Sequence, residues 1–291
     1  MLAEEVWAIP EDLFQVSAGR VTFREPIQPK RSYLYEMGID PQILDLLADP
    51  ETHDSLELGD NCLMNPKSRR RYPIRDGIAV FLREVSGPNR KYQTMYDRLA
   101  PGYDLAERLY YWISRKPDRR LEFIPELEVL ADARVLEVSV GTGANLPFLR
   151  KDIEFFGLDL SWGMLHRCRQ NLKRWRRDAH LFHGEGEQLP FRDAVFDCVY
   201  HVGGINFFSD RARAITEMIR VAKPGTKIVI VDETEKVVRQ QYRKNPLTRR
   251  FYADEAKSAS APIELVPAGM REIQSRLFNA GNEYCLTFRK P

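Results

Sequence analysis

Cysteine is scarce in this 291-residue chain: Cys62, Cys168, Cys198 and Cys285 are scattered, with no paired spacing. A disulfide framework is therefore not expected, and a reduced, cytoplasmic setting is. Long apolar runs are missing too; nothing approaches the roughly 18 residues a membrane helix needs. The first residues are acidic (Glu4, Glu5), with no basic stretch ahead of an apolar one, so a secretory signal is not expected either. Nor does charge of one sign dominate, since 44 Lys and Arg face 42 Asp and Glu, a net +2. A dedicated nucleic-acid protein usually shows a clear basic excess, so the balance argues against that class and leaves room only for a local patch. What is present is ordinary globular composition: 43% apolar and 30% charged residues, enough to bury a sizeable core. At about 150 residues per domain, the length implies one large domain or two unequal ones.

Three zones separate along the chain. Residues 1–30 are punctuated by Pro10, Pro26 and Pro29 and show no period. Residues 31–86 read as a β-rich mini-domain. A short helix is expected over 41–48, beginning at Pro41, where the missing N–H costs nothing. Extended pieces follow at 56–58, 62–64, 71–74 and 78–82, separated by turn signals at 59–61 and 76–77. Residues 87–89 read as a linker. From 91 to 291 helix and strand alternate. An aromatic-rich helix is expected from 91 to about 116, interrupted at Pro101 and Gly102. Strands are expected over 134–138, 152–159, 180–182, 195–200 and 227–231. Between them Ser161 can cap a helix whose apolar face is Met164, Leu165, Cys168, Leu172 and Trp175. Another buries Ile215, Met218, Ile219 and Ala222 and stops at Pro224. The tail, 271–278 and 283–289, reads as an antiparallel hairpin. This alternation means an α/β fold, a doubly wound, mostly parallel sheet with helices on both faces.

The strand ending at Val138 runs into Ser139, Gly141 and Gly143. Glycine there lets the backbone turn sharply and approach a ligand with no Cβ in the way. Asp159 closes the second strand, where an acidic side chain can accept both hydroxyls of a ribose. The loop lacks the third glycine of a dinucleotide fingerprint, because Leu146 stands there, and no Lys-Ser or Lys-Thr pair makes it a P-loop. Glu137 beside the loop would repel a diphosphate and suits a ligand with an amino group. S-adenosylmethionine has that group, a ribose and a sulfonium cation, and is favoured over NAD.

These residues also carry a family resemblance. The run from Val135 through Glu137 to Gly143 resembles the first motif of class I S-adenosylmethionine-dependent methyltransferases, and residues 157–161 resemble the second. Residues 183–191 with Phe196 and Asp197, 220–225 and 95–104 resemble, in order, stretches of the ubiquinone/menaquinone C-methyltransferase group. The resemblance implies a seven-stranded Rossmann-like sheet. It implies that Glu137 holds the methionine amino group, that Ser139, Gly141, Gly143 and Asn145 form the loop, and that Asp159, followed by Leu160, binds the ribose. Met164 would pack on adenine, Glu185 with Gly186 and Glu187 would read its edge, and Tyr96 and Tyr103 would close over the cofactor. Ser139 replaces the usual first glycine, and Glu185 the commoner, shorter Asp. Residues 44–82 resemble the zinc ribbon of methyltransferase activator proteins, with Asp49, Thr52, Asn65 and Ser68 at the four cysteine positions. With the thiolates gone, a ribbon without metal is expected; the alternative is a regrouped set of His53, Cys62 and Asp49.

Other readings of these residues stay open. Asp159 can cap the next helix, although Ser161 is better placed. Tyr96 and Tyr103 can be core aromatics. His201 is a candidate general base or cofactor contact, or a buried histidine bonded to backbone. Arg167, Arg169, Lys173, Arg174, Arg176 and Arg177 form a basic face that is either solvated or a contact for RNA or anionic membrane. In methyl transfer the protein mainly aligns donor and acceptor; a base, with His201 and Tyr103 as candidates, helps only if the acceptor loses a proton. A small lipophilic or aromatic acceptor, methylated on carbon or oxygen, is the first expectation. An rRNA or tRNA methyltransferase and an inactive, partner-binding scaffold are the alternatives.

Overall fold

The computed structural model describes residues 14–17, 20–23, 41–85, 87–115, 117–237 and 260–291. The chain divides into two compact units, Met1–Tyr35 and Glu36–Pro291. In the first, β1 (Phe14–Ser17) and β2 (Arg20–Phe23) form an antiparallel hairpin, with Phe14 opposite Phe23.

The second unit is built on one sheet. Its strands are β3 (Glu57–Gly59), β4 (Cys62–Met64), β5 (Arg71–Arg75), β6 (Ile78–Val80), β7 (Arg134–Val138), β8 (Glu154–Asp159), β9 (His180–His183), β10 (Cys198–Val202), β11 (Lys227–Glu233), β12 (Arg271–Phe278) and β13 (Glu283–Arg289). The sheet order is β12-β13-β11-β10-β7-β8-β9-β6-β5-β4-β3, eleven strands, because β3 to β6, expected in a separate mini-domain, join the sheet of β7 to β13. The physical reason lies at β9, which would otherwise present a row of unpaired backbone groups. Strand β6 pairs with it in parallel, Ala79 opposite Phe182, and carries the hairpins of 57–80 into the same sheet. Strands β6 to β11 are mutually parallel; β12 and β13 add the antiparallel tail hairpin. Central strands β7, β8 and β11 are buried almost throughout, in keeping with their mostly apolar sequences, with Glu137 a buried carboxylate within β7.

Five helices matter: α1 (Pro41–Leu44), α2 (Gly87–Ser114), α3 (Arg120–Phe123), α4 (Trp162–Trp175) and α5 (Arg211–Val221). Ser161 caps α4, its hydroxyl accepting the Met164 N–H at 3.1 Å. Asp210 caps α5 in the same way through the Arg213 N–H at 2.9 Å. Three local expectations need correction. The first helix stops at Leu44, because Leu47 and Ala48 turn away into bridges with Phe191 and Ser55. Residues 87–89 are the first turn of α2 and not a linker. Helix α2 also runs through Pro101 without a break. The Asp97 carbonyl, which Pro101 leaves without its usual donor, lies 3.1 Å from where a Cβ on Gly163 would stand, so close packing on α4 occupies that point.

The four positions that the ribbon resemblance sets against cysteines come together. Asp49 Oδ1 accepts the N–H groups of Glu51 (2.9 Å) and Thr52 (3.2 Å), and Asn65 Oδ1 those of Lys67 (2.9 Å) and Ser68 (3.2 Å). Asn65 Nδ2 joins the two turns by donating to Asp49 Oδ2 at 2.8 Å and to Thr52 Oγ1 at 3.1 Å. Both Asp49 and Asn65 are completely buried. Among the described residues, no group of three or more His, Cys, Asp or Glu is placed to hold a metal ion.

Candidate functional site

Parallel strands leave their C-terminal ends on one edge of the sheet, and the order reverses at β7, between β8 and β10. A crevice at such a point is the usual ligand site of an open α/β sheet. Here it is a cleft open to solvent. Its floor is polar. Glu137 is fully buried in β7 and both its oxygens are engaged, by Asn145 Nδ2 at 2.6 Å and by the Tyr200 hydroxyl at 2.8 Å. Burial pushes its pKa up to about 8 against the pull of these donors. Asn145 accepts in turn from Arg120 Nε at 2.9 Å, and Arg120 pairs with Glu107 (2.8 Å) and Asp118 (3.1 Å). Carboxylate, amide and guanidinium thus follow one another along the cleft.

The loop after β7 takes left-handed backbone at Ser139 (φ 64°), Gly141 (φ 55°) and Gly143 (φ 77°). A Cβ on Gly141 would meet nothing within 4 Å, whereas one on Gly143 would lie 2.7 Å from Cys168 Sγ of α4. Gly141 therefore leaves room in the cleft. Gly143, expected to line it, instead lets the loop seat on α4. Asp159 is held from both sides: Gly141 N–H donates to Oδ2 at 2.7 Å and Ser161 N–H to Oδ1 at 2.8 Å. Burial pushes it up to about 6.

Helix α2 forms one wall. Gln93 Nε2 donates to the Leu160 carbonyl at 3.1 Å, and Asp97 accepts from Ser161 Oγ and Gly163 N–H at 2.6 and 2.9 Å, fixing α2 over the start of α4. At the far end Asn89 Nδ2 donates to Glu187 at 3.0 Å and to Glu185 at 3.4 Å, so the start of α2 grips the loop after β9.

Of the residues expected from sequence, Tyr96, Tyr103, Glu137, Ser139, Gly141, Asn145, Asp159, Leu160, Met164, Glu185, Gly186 and Glu187 line this cleft. Gly143 and His201 do not. His201 is completely buried, its Nδ1 is 2.9 Å from the Val138 carbonyl, and its ring lies edge-on to Phe208. Burial lowers its pKa to about 4, which leaves a neutral ring bonded to backbone. Desolvation, with Glu107 alongside, raises the Tyr103 phenol to about 12. The basic face of α4 is largely spent internally: Arg167 pairs with Asp104, Arg169 and Arg177 bond backbone carbonyls, and Arg174 lies over Trp175.

Sequence reading missed other lining residues, chiefly Asn89, Arg119, Arg120, Gly203, Gly204 and Asp232. The Gly203-Gly204 pair after a strand was a legible turn signal. Arg120 had no motif, and only its place shortly before β7 pointed to it. Asp232 at the end of β11 accepts the Asn206 and Glu233 N–H groups at 2.9 and 2.8 Å, and burial pushes it up to about 6.

The donor set fits S-adenosylmethionine. Paired acceptors at Asp159 match ribose hydroxyls, a buried carboxylate beside a guanidinium matches an amino-acid zwitterion, and Gly141 leaves the loop open to the ligand. Among solved structures, a possible histamine N-methyltransferase of Thermotoga maritima superimposes with a TM-score of 0.51 at 20% identity, covering 68% of this chain and 99% of its own. The cyclase SpnF superimposes with a TM-score of 0.52 at 16% identity, covering 72% and 98%. Likeness at that distance defines the class, a Rossmann-like α/β fold. Residues 136–230 match the family model of a methyltransferase domain. Demethylmenaquinone methyltransferase of Renibacterium salmoninarum is 33% identical over 139 residues, 47% of this chain and 56% of its own length. A ubiquinone/menaquinone biosynthesis C-methyltransferase of Geotalea daltonii is 28% identical over 158 residues, 51% and 66%. The chain thus spans less than two thirds of these relatives. Residues 136–230 are thus similar to a methyltransferase domain, and the fold neighbours include a chain described as a SAM-dependent methyltransferase.

Proposed function

We propose that this protein methylates a small lipophilic acceptor of quinone type. The observation that carries the reading is the cleft itself, with Glu137 and Asp159 on either side of the glycine loop, in a stretch similar in sequence to quinone-methylating enzymes. When bound, S-adenosylmethionine supplies the electrophilic methyl group. Asp159 holds the ribose through the outward lone pairs of its carboxylate. Glu137, positioned by Tyr200 and Asn145, faces the ammonium of the methionine end, while Arg120 attracts its carboxylate. Met164 and residues 185–187 enclose the adenine, and Tyr96 and Tyr103 on α2 exclude water from above. Alignment and exclusion of water account for most of the catalysis such a site needs.

An aromatic hydroxyl that is activated for methylation must give up its proton. His201 lies outside the cleft and Tyr103 does not ionise at neutral pH. Asp232 lines the cleft at the end of β11 and is ionised above about pH 6, so it takes this role in our reading. The hairpins of 57–80 are read as a ribbon without metal, in which the Asp49–Asn65 pair joins the two turns that a metal ion would otherwise link. Calorimetric titration with S-adenosylmethionine and S-adenosylhomocysteine, followed by turnover on demethylated quinols, tests the proposal. Cofactor binding without turnover on any quinol would retain the domain and overturn the acceptor; no binding up to millimolar ligand would leave a non-catalytic scaffold.

A further inference from the structure

Helix α2 has a second face. Beyond Pro101 one side, with Tyr103 and Glu107, lines the cleft. On the opposite side Leu105, Leu109, Trp112 and Ile113 are 69%, 49%, 77% and 66% exposed. Their spacing of four, seven and eight residues places them within an arc of roughly 100° on one helix. This is an amphipathic stripe turned outward. The charges on α2 are sorted as well. Asp97 is held by Ser161 and Gly163, Asp104 by Arg167 and Asn171, and Glu107 by Arg120, all of them inward partners. Arg98 and Arg108, on or beside the stripe, and Arg115 just past the helix are exposed and have no ion-pair partner among the described residues.

We propose that this face of α2 docks on an anionic lipid surface. An apolar stripe with a tryptophan at its most exposed point and arginines beside it suits the boundary between headgroups and acyl chains. There the aromatic and aliphatic groups leave water and the guanidinium groups meet phosphate. The helix does not cross the bilayer, and among the described residues none is long and apolar enough to do so. The inference deepens the proposed function and rests on it for its purpose. The same helix that closes the cofactor cleft would lie on the phase in which a lipophilic acceptor is dissolved, with no aqueous transfer between them.

The experiment is co-sedimentation of the full chain with vesicles of phosphatidylcholine alone and of phosphatidylcholine with 30% phosphatidylglycerol. Wild type is expected to pellet with the anionic vesicles. Leu105→Gln combined with Trp112→Gln should weaken partitioning at least tenfold, and Arg98→Gln with Arg108→Gln should remove the preference for anionic lipid. Both pairs are exposed, so folding and the affinity for S-adenosylhomocysteine should stay within about twofold of wild type, measured on the same samples. Equal pelleting of wild type and the apolar variant would overturn the proposal. So would a dimer, formed without vesicles and lost in that variant, which would assign the stripe to a second copy of the chain. Because sedimentation needs neither cofactor nor acceptor, its failure would be distinct from failure of the methyl-transfer reading.

Discussion

Replacing Asp159 with Asn separates the proposed ribose-binding role of this side chain from its folding role. Each carboxylate oxygen accepts one backbone N–H, from Gly141 at 2.7 Å or Ser161 at 2.8 Å, and retains a lone pair for the ribose. Asn preserves the shape but turns one acceptor into a donor and discharges the other. A hydrogen bond to a charged group contributes about 1.5–3 kcal/mol, and a neutral one about 1. Losing the first and weakening the second removes about 2–4 kcal/mol of binding, a rise in Kd of roughly 30- to 1000-fold. Folding responds differently. The native carboxylate, buried with a pKa of about 6 against the ordinary 3.8, costs about 3 kcal/mol at neutral pH. Asn removes that cost but leaves one backbone N–H facing a donor, about 1–3 kcal/mol. The two nearly cancel, so the melting temperature without cofactor should change little. Calorimetric titration with S-adenosylhomocysteine beside a thermal melt reads both quantities. A Kd within threefold of wild type would refute the ribose assignment. A collapse of the melting temperature would refute the reckoning of folding costs.

With its pKa raised to about 8, Glu137 in its proposed role beside the methionine ammonium should make cofactor affinity depend on pH. Its native pKa lies above its ordinary value, so the stability it lends is complete below about pH 4 and is lost as pH rises through 8. A cationic ligand reverses that preference: affinity should rise between pH 6.5 and 8.5, and binding at about pH 7 should release up to one proton. Titrations in buffers of different ionisation enthalpy measure this release, which Glu137→Gln should abolish. Ser139 sits in left-handed backbone at φ 64°, where a side chain costs about 1–2 kcal/mol, so Ser139→Gly should raise stability by about 1 kcal/mol in denaturant unfolding. Asn65→Ala removes the donor that joins the turns at Asp49 and Asn65 and should cost about 2–4 kcal/mol. Metal analysis of the purified chain should find zinc well below one per chain, and stoichiometric zinc would overturn the metal-free reading. Asp232→Asn should lower kcat while leaving cofactor affinity near wild type; a fall in affinity alone would remove Asp232 as the proton acceptor.

Much of the fold was legible because its signals are local. Ser161 caps α4 as its place before an amphipathic run requires, and β7, β11 and the tail hairpin lie where apolar runs end in turns. Strand β10 begins at Cys198, three residues later than its apolar pattern suggests, because Phe196 is drawn aside into a bridge with Ala222 and Asp197 bonds to Arg134. Helix α2 continues through Pro101 because packing on α4 offsets what proline removes, and no window of sequence contains that packing.

The candidate site divides in the same way. Glu137 and Asp159 lie at the ends of strands and Gly141 in the loop that follows one, and a parallel sheet brings strand ends together whatever else the chain does. Their convergence was therefore determined by sequence order alone. Tertiary structure decided what each side chain faces. Gly143 and His201 share the edge of the sheet with the cleft, yet one is pressed against Cys168 and the other turned under Val138. Arg120 and Asp232 enter through contacts between segments far apart in the chain. Periodicity places a residue on a face of its own element. Which neighbour covers that face depends on packing between distant segments.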